Sequence, residues 1–196
     1  MDQYAAAIER FRAWFALASE TAGIGDATAM TLATAAPNGR PSARIVLLKQ
    51  FDESGFVFYT NGNSRKGQQL AANPRAALVF FWEPLMRQVL IEGAVQPVSA
   101  AEADAYFASR PRLSQLGAWA SQQSQPLENR AAFDRQLAEV EARFDGVAVS
   151  RPPHWGGYRV VPDMIEFWQG REGRLHERER YYRSDHGQWD WMLLNP

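Results

Sequence analysis

Arg174, His176 and Arg178 alternate along the segment Ile165-Glu166-Phe167-Trp168-Gln169-Gly170-Arg171-Glu172-Gly173-Arg174-Leu175-His176-Glu177-Arg178. A short aromatic strand, a Gly-containing turn and a return strand over Arg174 to Tyr182 make a hairpin. On the return strand the three side chains share parity and project from one face. Two guanidiniums flanking an imidazole suit a planar, anionic ligand, because the guanidinium fork is flat and permanently charged. Histidine titrates near neutrality and is the natural acid–base group of the three. A solvated edge strand is the competing reading, since Glu177 and Glu179 occupy the other face.

A second group is Asn63-Ser64-Arg65-Lys66, two cations in the first turn of a helix that Ser64 can cap. Free N–H groups and the positive dipole end already favour an anion there, so added cations are misplaced unless a phosphate binds. No Walker or dinucleotide glycine pattern accompanies it, which points to a single phosphate. A third group is Tyr106 and Arg110, neighbours four apart on one helix, with Ser114 just beyond the break made by Pro111. Phenol, guanidinium and hydroxyl there can seat another phosphate; an aromatic core residue beside a surface arginine is the plainer alternative. Arg44 and Lys49 begin and end one expected strand at opposite parity, so they serve different groups or the strand deviates near one end. His154 and His186 lack a supporting constellation, and no spacing reads as a metal site, a serine elbow or a thiol nucleophile.

The elements that must hold these groups are short. Asp2 caps a first helix with Ile8, Phe11, Phe15 and Ala18 on its apolar face. Strands follow at Ala29 to Ala35 and Ser42 to Gln50, joined by Pro37-Asn38-Gly39, and at Gly55 to Thr60. The capped helix runs from Ser64 to Leu70, stopped by Asn73-Pro74, and Ala76 to Trp82 and Gln88 to Val98 are two more strands. Ser99-Ala100-Ala101-Glu102 is a capping box that opens the helix ended by Pro111, and Phe133, Leu137, Val140 and Phe144 mark the buried stripe of a later helix. Tyr158 to Val161, Met164 to Gln169, the return strand, and Gln188 to Leu193 complete the chain. Many short strands joined by turns, with helices inserted, favour an antiparallel barrel with peripheral helices, in one domain over residues 1–196.

Composition narrows the class. The net charge is −1, so any basic cluster is local to a site and general nucleic-acid binding is disfavoured. With no cysteine there is no disulfide framework, and no apolar run reaches membrane-span length, so a soluble cytoplasmic protein is expected. Trp82, Trp119 and Trp155 are expected in the core or an interface.

The C-terminal hairpin resembles the signature of the pyridoxamine/pyridoxine 5′-phosphate oxidases, the FMN enzymes that form pyridoxal 5′-phosphate. The blocks Arg44-Ile45-Val46-Leu47-Leu48-Lys49, Phe56-Val57-Phe58-Tyr59-Thr60, Asn63-Ser64-Arg65-Lys66, Arg87-Gln88-Val89, Tyr106-Phe107-Ala108-Ser109-Arg110-Pro111, Ser114-Gln115-Leu116-Gly117-Ala118-Trp119 and Trp155-Gly156-Gly157 are similar to that family's and in its order, from about Ala29 onward. The resemblance implies a split β-barrel homodimer with FMN between subunits. It assigns FMN contacts to Arg44 through Lys49, Tyr59, Thr60, Arg65, Lys66, Gln88, Gln123, Ser124, Trp168 and Arg178. It assigns the substrate phosphate to Lys49, Tyr106, Arg110 and Ser114, and the substrate ring and catalytic positioning to Arg174 and His176. The implied substrates are pyridoxamine 5′-phosphate and pyridoxine 5′-phosphate. The implied reaction is hydride transfer from C4′ to flavin N5, reoxidation by O2 with release of H2O2, and, for the amine, hydrolysis of an imine. Two departures are visible. The first expected helix starts close to residue 1, so the longer N-terminal segment common in the family is expected to be missing or very short, and Leu193 stands where arginine is usual before the final Leu-x-Pro. The rivals are a related split-barrel flavin reductase and a non-catalytic carrier of FMN or pyridoxal phosphate; a carrier would not need a substrate seat beside the flavin.

Overall fold

A computed structural model describes residues 2–196. Helix α1 (Gln3–Glu20) begins where the Asp2 carboxylate accepts the Tyr4 N–H at 3.1 Å. It buries Ala7, Ile8, Phe11, Trp14 and Ala18, while Phe15 is only half-buried. The Phe11 ring meets Phe51, Phe56 and Phe80 edge-on at 4.8, 4.9 and 5.2 Å, so one face of α1 completes an aromatic core.

The core is wrapped by an antiparallel sheet of β1 (Ala29–Ala35), β2 (Pro41–Leu47), β3 (Gln50–Asp52), β4 (Gly55–Asn61), β5 (Arg75–Trp82), β6 (Arg87–Pro97), β7 (Trp155–Gln169), β8 (Glu177–Arg183) and β9 (Trp189–Leu194). The order is β2-β1-β5-β6-β7-β4-β3, with β8 and β9 branching from β7. The expected barrel with peripheral helices is what forms. Four helices lie along the chain between strands: α2 (Arg65–Ala72), α3 (Ala100–Ser109), α4 (Arg112–Ala120) and α5 (Arg130–Arg143).

Several expectations are corrected. The strand expected over Ser42 to Gln50 is two, because β2 pairs with β1 whereas β3 pairs with β4, and the chain changes partner at Leu48-Lys49. Conversely, the two strands expected between Tyr158 and Gln169 are one. Pro162 sits within it at a bulge, opposite Gly93, where a missing N–H is tolerated. A Cβ on Gly93 would lie 2.1 Å from the Val161 carbonyl oxygen, so the close approach needs glycine. On one edge β7 pairs with β6 from Tyr158 to Gln169; on the other it pairs with β4 before the bulge and β8 after it.

The return strand begins at Glu177, not Arg174. Glu172–Arg174 forms a 3₁₀ turn in which Gly173 and Arg174 both take left-handed backbone, φ 64° and 63°. Arg174, His176 and Arg178 therefore do not share a strand face. Helix α4 was not expected after Pro111. The stripe on α5 is shallower than expected: Phe133, Leu137 and Val140 are half-buried and only Phe144, at its C-cap, is buried.

The outer face of β7 carries Glu166, 4 % exposed, whose carboxylate accepts from Arg178 at 2.8 Å and from Arg180 at 2.9 Å. Burial alone pushes this carboxyl up, but hydrogen bonds from the two guanidiniums outweigh it and hold it below the usual range. A depressed folded-state value means that the stabilisation is present above the unfolded carboxylate pKa, about 4.3, and is lost as pH falls through the folded one. Glu166→Gln is expected to cost about 1–3 kcal/mol at pH 7, less than a fully buried pair because both arginines stay partly solvated. Urea unfolding at pH 7 and pH 3 checks this: the gap between wild type and variant should close in acid.

Candidate active site

Helix α2 starts where Ser64 Oγ accepts the Gly67 N–H at 3.3 Å, as the capping pattern requires. A Cβ on Gly67 would stand 2.1 Å from the Gly62 carbonyl oxygen, so this turn packs too tightly for any side chain. The next-door Lys66 is buried, with its ammonium donating to Thr60 Oγ1 at 3.1 Å, Gln123 Oε1 at 3.3 Å and Ser64 Oγ at 3.4 Å. All three acceptors are neutral, and among the described residues no carboxylate pairs with Lys66 or Arg44. Burial, and then the Arg44 charge, lower the Lys66 pKa. Burial, and then Arg65, do the same to Arg44. Such a site gains from an anion.

Arg44 is aimed by a residue the sequence reading passed over. It donates to Thr34 Oγ1 at 2.6 Å, Ser42 Oγ at 2.7 Å and the Leu32 carbonyl at 3.3 Å. Both hydroxyls in turn donate to Oε1 of buried Gln69 on α2, at 2.6 and 2.7 Å. One amide oxygen thus couples α2, β1 and β2 around the guanidinium.

The opposite wall is aromatic. Tyr59 of β4 stacks on Tyr106 of α3 at 4.1 Å and on Trp155 of β7 at 5.4 Å. The Arg110 guanidinium lies 4.6 Å from the Trp155 ring centroid. Its Nη1 is buried without a hydrogen-bond partner, and burial lowers its pKa, opposed by Tyr106. Trp155, expected only in the core or an interface, is a wall of the site. An open cavity of about 870 Å³ joins these features, and Lys49, Ser114, Thr60 and Gln123 also line it.

Not every candidate is there. Of the block at the end of β2, Arg44, Ile45, Val46, Leu47 and Lys49 reach the cavity, whereas the Leu48 side chain is in the core. Arg65 is exposed and outside the lining, and Ser124 borders a separate hollow of about 210 Å³. Gln88, Trp168 and Arg178 fall in one row across β6, β7 and β8, away from the cavity. His176 joins that cluster, its ring 4.6 Å from Trp168. Its Nδ1 accepts the Arg171 N–H at 3.1 Å, so the neutral ring carries its proton on Nε2. Arg174 is exposed beside them.

Residues 17–144 match the family model described as pyridoxamine 5′-phosphate oxidase, and residues 155–196 match the one described as the pyridoxine 5′-phosphate oxidase C-terminal dimerisation region. The chain belongs to the pyridoxamine 5′-phosphate oxidase family. A pyridoxine/pyridoxamine 5′-phosphate oxidase of Rubrobacter xylanophilus is 58% identical over 189 residues, covering 96% of this chain and 86% of that relative. One of Alkalilimnicola ehrlichii is 57% identical, covering 97% of each. Among solved structures, PhzG from Burkholderia lata 383, in complex with tetrahydrophenazine-1-carboxylic acid, superposes with a TM-score of 0.90 at 34% identity, covering 96% of this chain and 92% of that one. The protein is thus an oxidoreductase, with FMN as cofactor.

The cavity fits such a group. The buried ammonium with neutral partners suits a phosphate dianion, and no carboxylate on the cavity wall opposes it. Function and stability then conflict at Lys66. Lys66→Met is expected to leave the cofactor-free protein as stable as wild type, or slightly more so, while weakening FMN binding by about 1.5–3 kcal/mol. Thermal unfolding of the apoprotein and flavin-fluorescence titration test the two halves independently.

Proposed function

We propose that this chain oxidises pyridoxamine 5′-phosphate and pyridoxine 5′-phosphate to pyridoxal 5′-phosphate, with O2 as the final acceptor and H2O2 released. The observation that carries the reading is that Arg110, whose Nη1 is buried and unpartnered, lines the same cavity as Lys66 and Arg44, none of the three paired with a carboxylate. Two anion seats in one cavity suit a phosphorylated cofactor beside a phosphorylated substrate. Lys66, Arg44, Thr60 and Gln123 would hold the FMN phosphate, with Arg65 at the rim. Arg110, Tyr106, Ser114 and Lys49 would hold the substrate phosphate. FMN, when bound, supplies the two-electron redox chemistry.

The chain's own contribution is binding and orientation. Trp155 covers one face of the Arg110 guanidinium, and Tyr59 and Tyr106 stack with one another and with that ring. His176 presents Nε2–H as a donor, and Arg174 a cation, where a substrate ring would be covered. These two, with Gln88, Trp168 and Arg178, lie outside the cavity of their own subunit, so we assign them to closing the cavity of a second copy in a homodimer. The support is a register row crossing the outer face of the sheet: Ile45, Thr31, Val79, Leu90, Glu166, Arg180 and Met192. Ile45 is 64% exposed and Phe81, two residues along β5 from Val79, 53%, apolar side chains that a second copy would cover.

A second reading has an observation behind it. The PhzG likeness at a TM-score of 0.90 favours a reduced polycyclic carboxylic acid in the same cavity. The relatives above 55% identity and the phosphate-seat residues favour the vitamer phosphates.

Anaerobic addition of pyridoxamine 5′-phosphate to the FMN-loaded protein is expected to bleach the visible flavin absorption, and air to restore it with one H2O2 per turnover. Bleaching by tetrahydrophenazine-1-carboxylic acid and not by either vitamer phosphate would replace this reading with the second. In sedimentation the active form should run as a dimer; an active, flavin-saturated monomer would refute the shared site.

A further inference from the structure

We infer that Gln115 is a positioning residue for Arg110, acting through the backbone corner between α3 and α4; the inference rests on the reading of Arg110 as a substrate-phosphate ligand. A helix ends with carbonyls that lack intrahelical donors, and at the end of α3 the residue after Arg110 is Pro111, which has no N–H to offer. Buried Gln115, one turn into α4, adds side-chain donors at this corner, where the Phe107 carbonyl already accepts the Arg110 N–H at 3.2 Å. Its Nε2 lies 3.0 Å from the Phe107 carbonyl oxygen, 3.1 Å from that of Ala108 and 3.0 Å from that of Arg110. One side-chain amide therefore caps the preceding helix and fixes the corner.

This matters because Arg110 is otherwise weakly held. Its Nη1 has no protein partner, and its guanidinium rests on the Trp155 ring with no carboxylate to fix it. Arg110 lines the cavity, and where its guanidinium sits on that wall is set by where the backbone at 110 stands. The other end of α3 is tied independently: Glu102, whose N–H caps onto Ser99 at 3.1 Å, turns its carboxylate to Arg159 of β7 at 2.6 Å. With the N-terminal end fixed to the barrel, the C-terminal corner is what remains for Gln115 to hold. Ser114, another residue of the proposed phosphate seat, precedes it on the same turn, so one amide sets both.

The test uses the FMN-loaded enzyme with pyridoxamine 5′-phosphate and pyridoxamine as substrates, in wild type, Gln115→Met, Arg110→Ala and the double variant. Methionine keeps the length and volume and removes the donors. Gln115→Met is expected to raise KM for the phosphorylated substrate about fivefold with kcat within about twofold, the size of one or two net hydrogen bonds. Turnover of unphosphorylated pyridoxamine and FMN affinity should not change. In the Arg110→Ala background, Gln115→Met should add nothing further. Unchanged KM in Gln115→Met, or an effect fully additive with Arg110→Ala, overturns the inference while leaving the site reading intact. Unchanged KM in Arg110→Ala overturns the site reading itself. If the methionine variant does not fold, Gln115→Asn, which keeps the amide and shortens its reach, carries the same comparison.

Discussion

The structure depends on one covalent constraint, the two-residue link Leu48-Lys49. The strands it joins, β2 and β3, lie at opposite ends of the sheet order. Three Cα steps span at most about 11 Å, so a flat sheet of seven strands is impossible and its edges must meet. Leu48 anchors the seam by donating its N–H to the Thr28 carbonyl at 2.9 Å and burying its side chain, and Lys49 donates to Val57 of β4 at 2.9 Å. Closure brings the end of β2 beside the end of β4 and the start of α2. The cavity lies at this seam, which is why Arg44, Thr60 and Lys66, from three different elements, share it with Lys49 of the link itself.

Charge placement follows from that geometry. The chain has 22 acidic and 21 basic residues, yet the cavity wall carries only the basic kind. Acids that pair with arginines do so elsewhere: Glu166 under Arg178 and Arg180, Asp52 and Glu102 on Arg159, Asp104 on Arg151. Those pairs hold the scaffold and the helix that carries the aromatic wall. The unpaired cations left in the cavity repel one another until an anion arrives, a local cost that the barrel and its aromatic core absorb.

Much of this was legible in the sequence wherever the cause is local. Asp2, Ser64 and Ser99 cap the helices they were expected to cap, and Pro37-Asn38-Gly39 turns the first hairpin with Gly39 at φ 80°. Pro111 ends α3 because its ring removes a donor. What was not legible depends on partners distant in sequence. Strand periodicity runs straight through Leu48-Lys49, and only the pairing with β4 shows the chain changing sides. Alternation placed Arg174 with His176 and Arg178, but consecutive left-handed residues at 173 and 174 break the period. Trp155, Gln69 and Gln115 carry no motif of their own; their roles arise from what packs against them. The separation of the basic residues into a cavity cluster and an outer-face cluster is likewise a property of the sheet order.

The central claim is that the cavity is built around phosphate, with the cations of the seam supplying the affinity. Titrating the cofactor-free protein with FMN and with riboflavin, which differ only in that group, tests it most directly. FMN should bind at least about 100-fold more tightly, the worth of two charge-assisted contacts, and the difference should shrink with rising salt. Equal affinity for the two flavins would contradict the account.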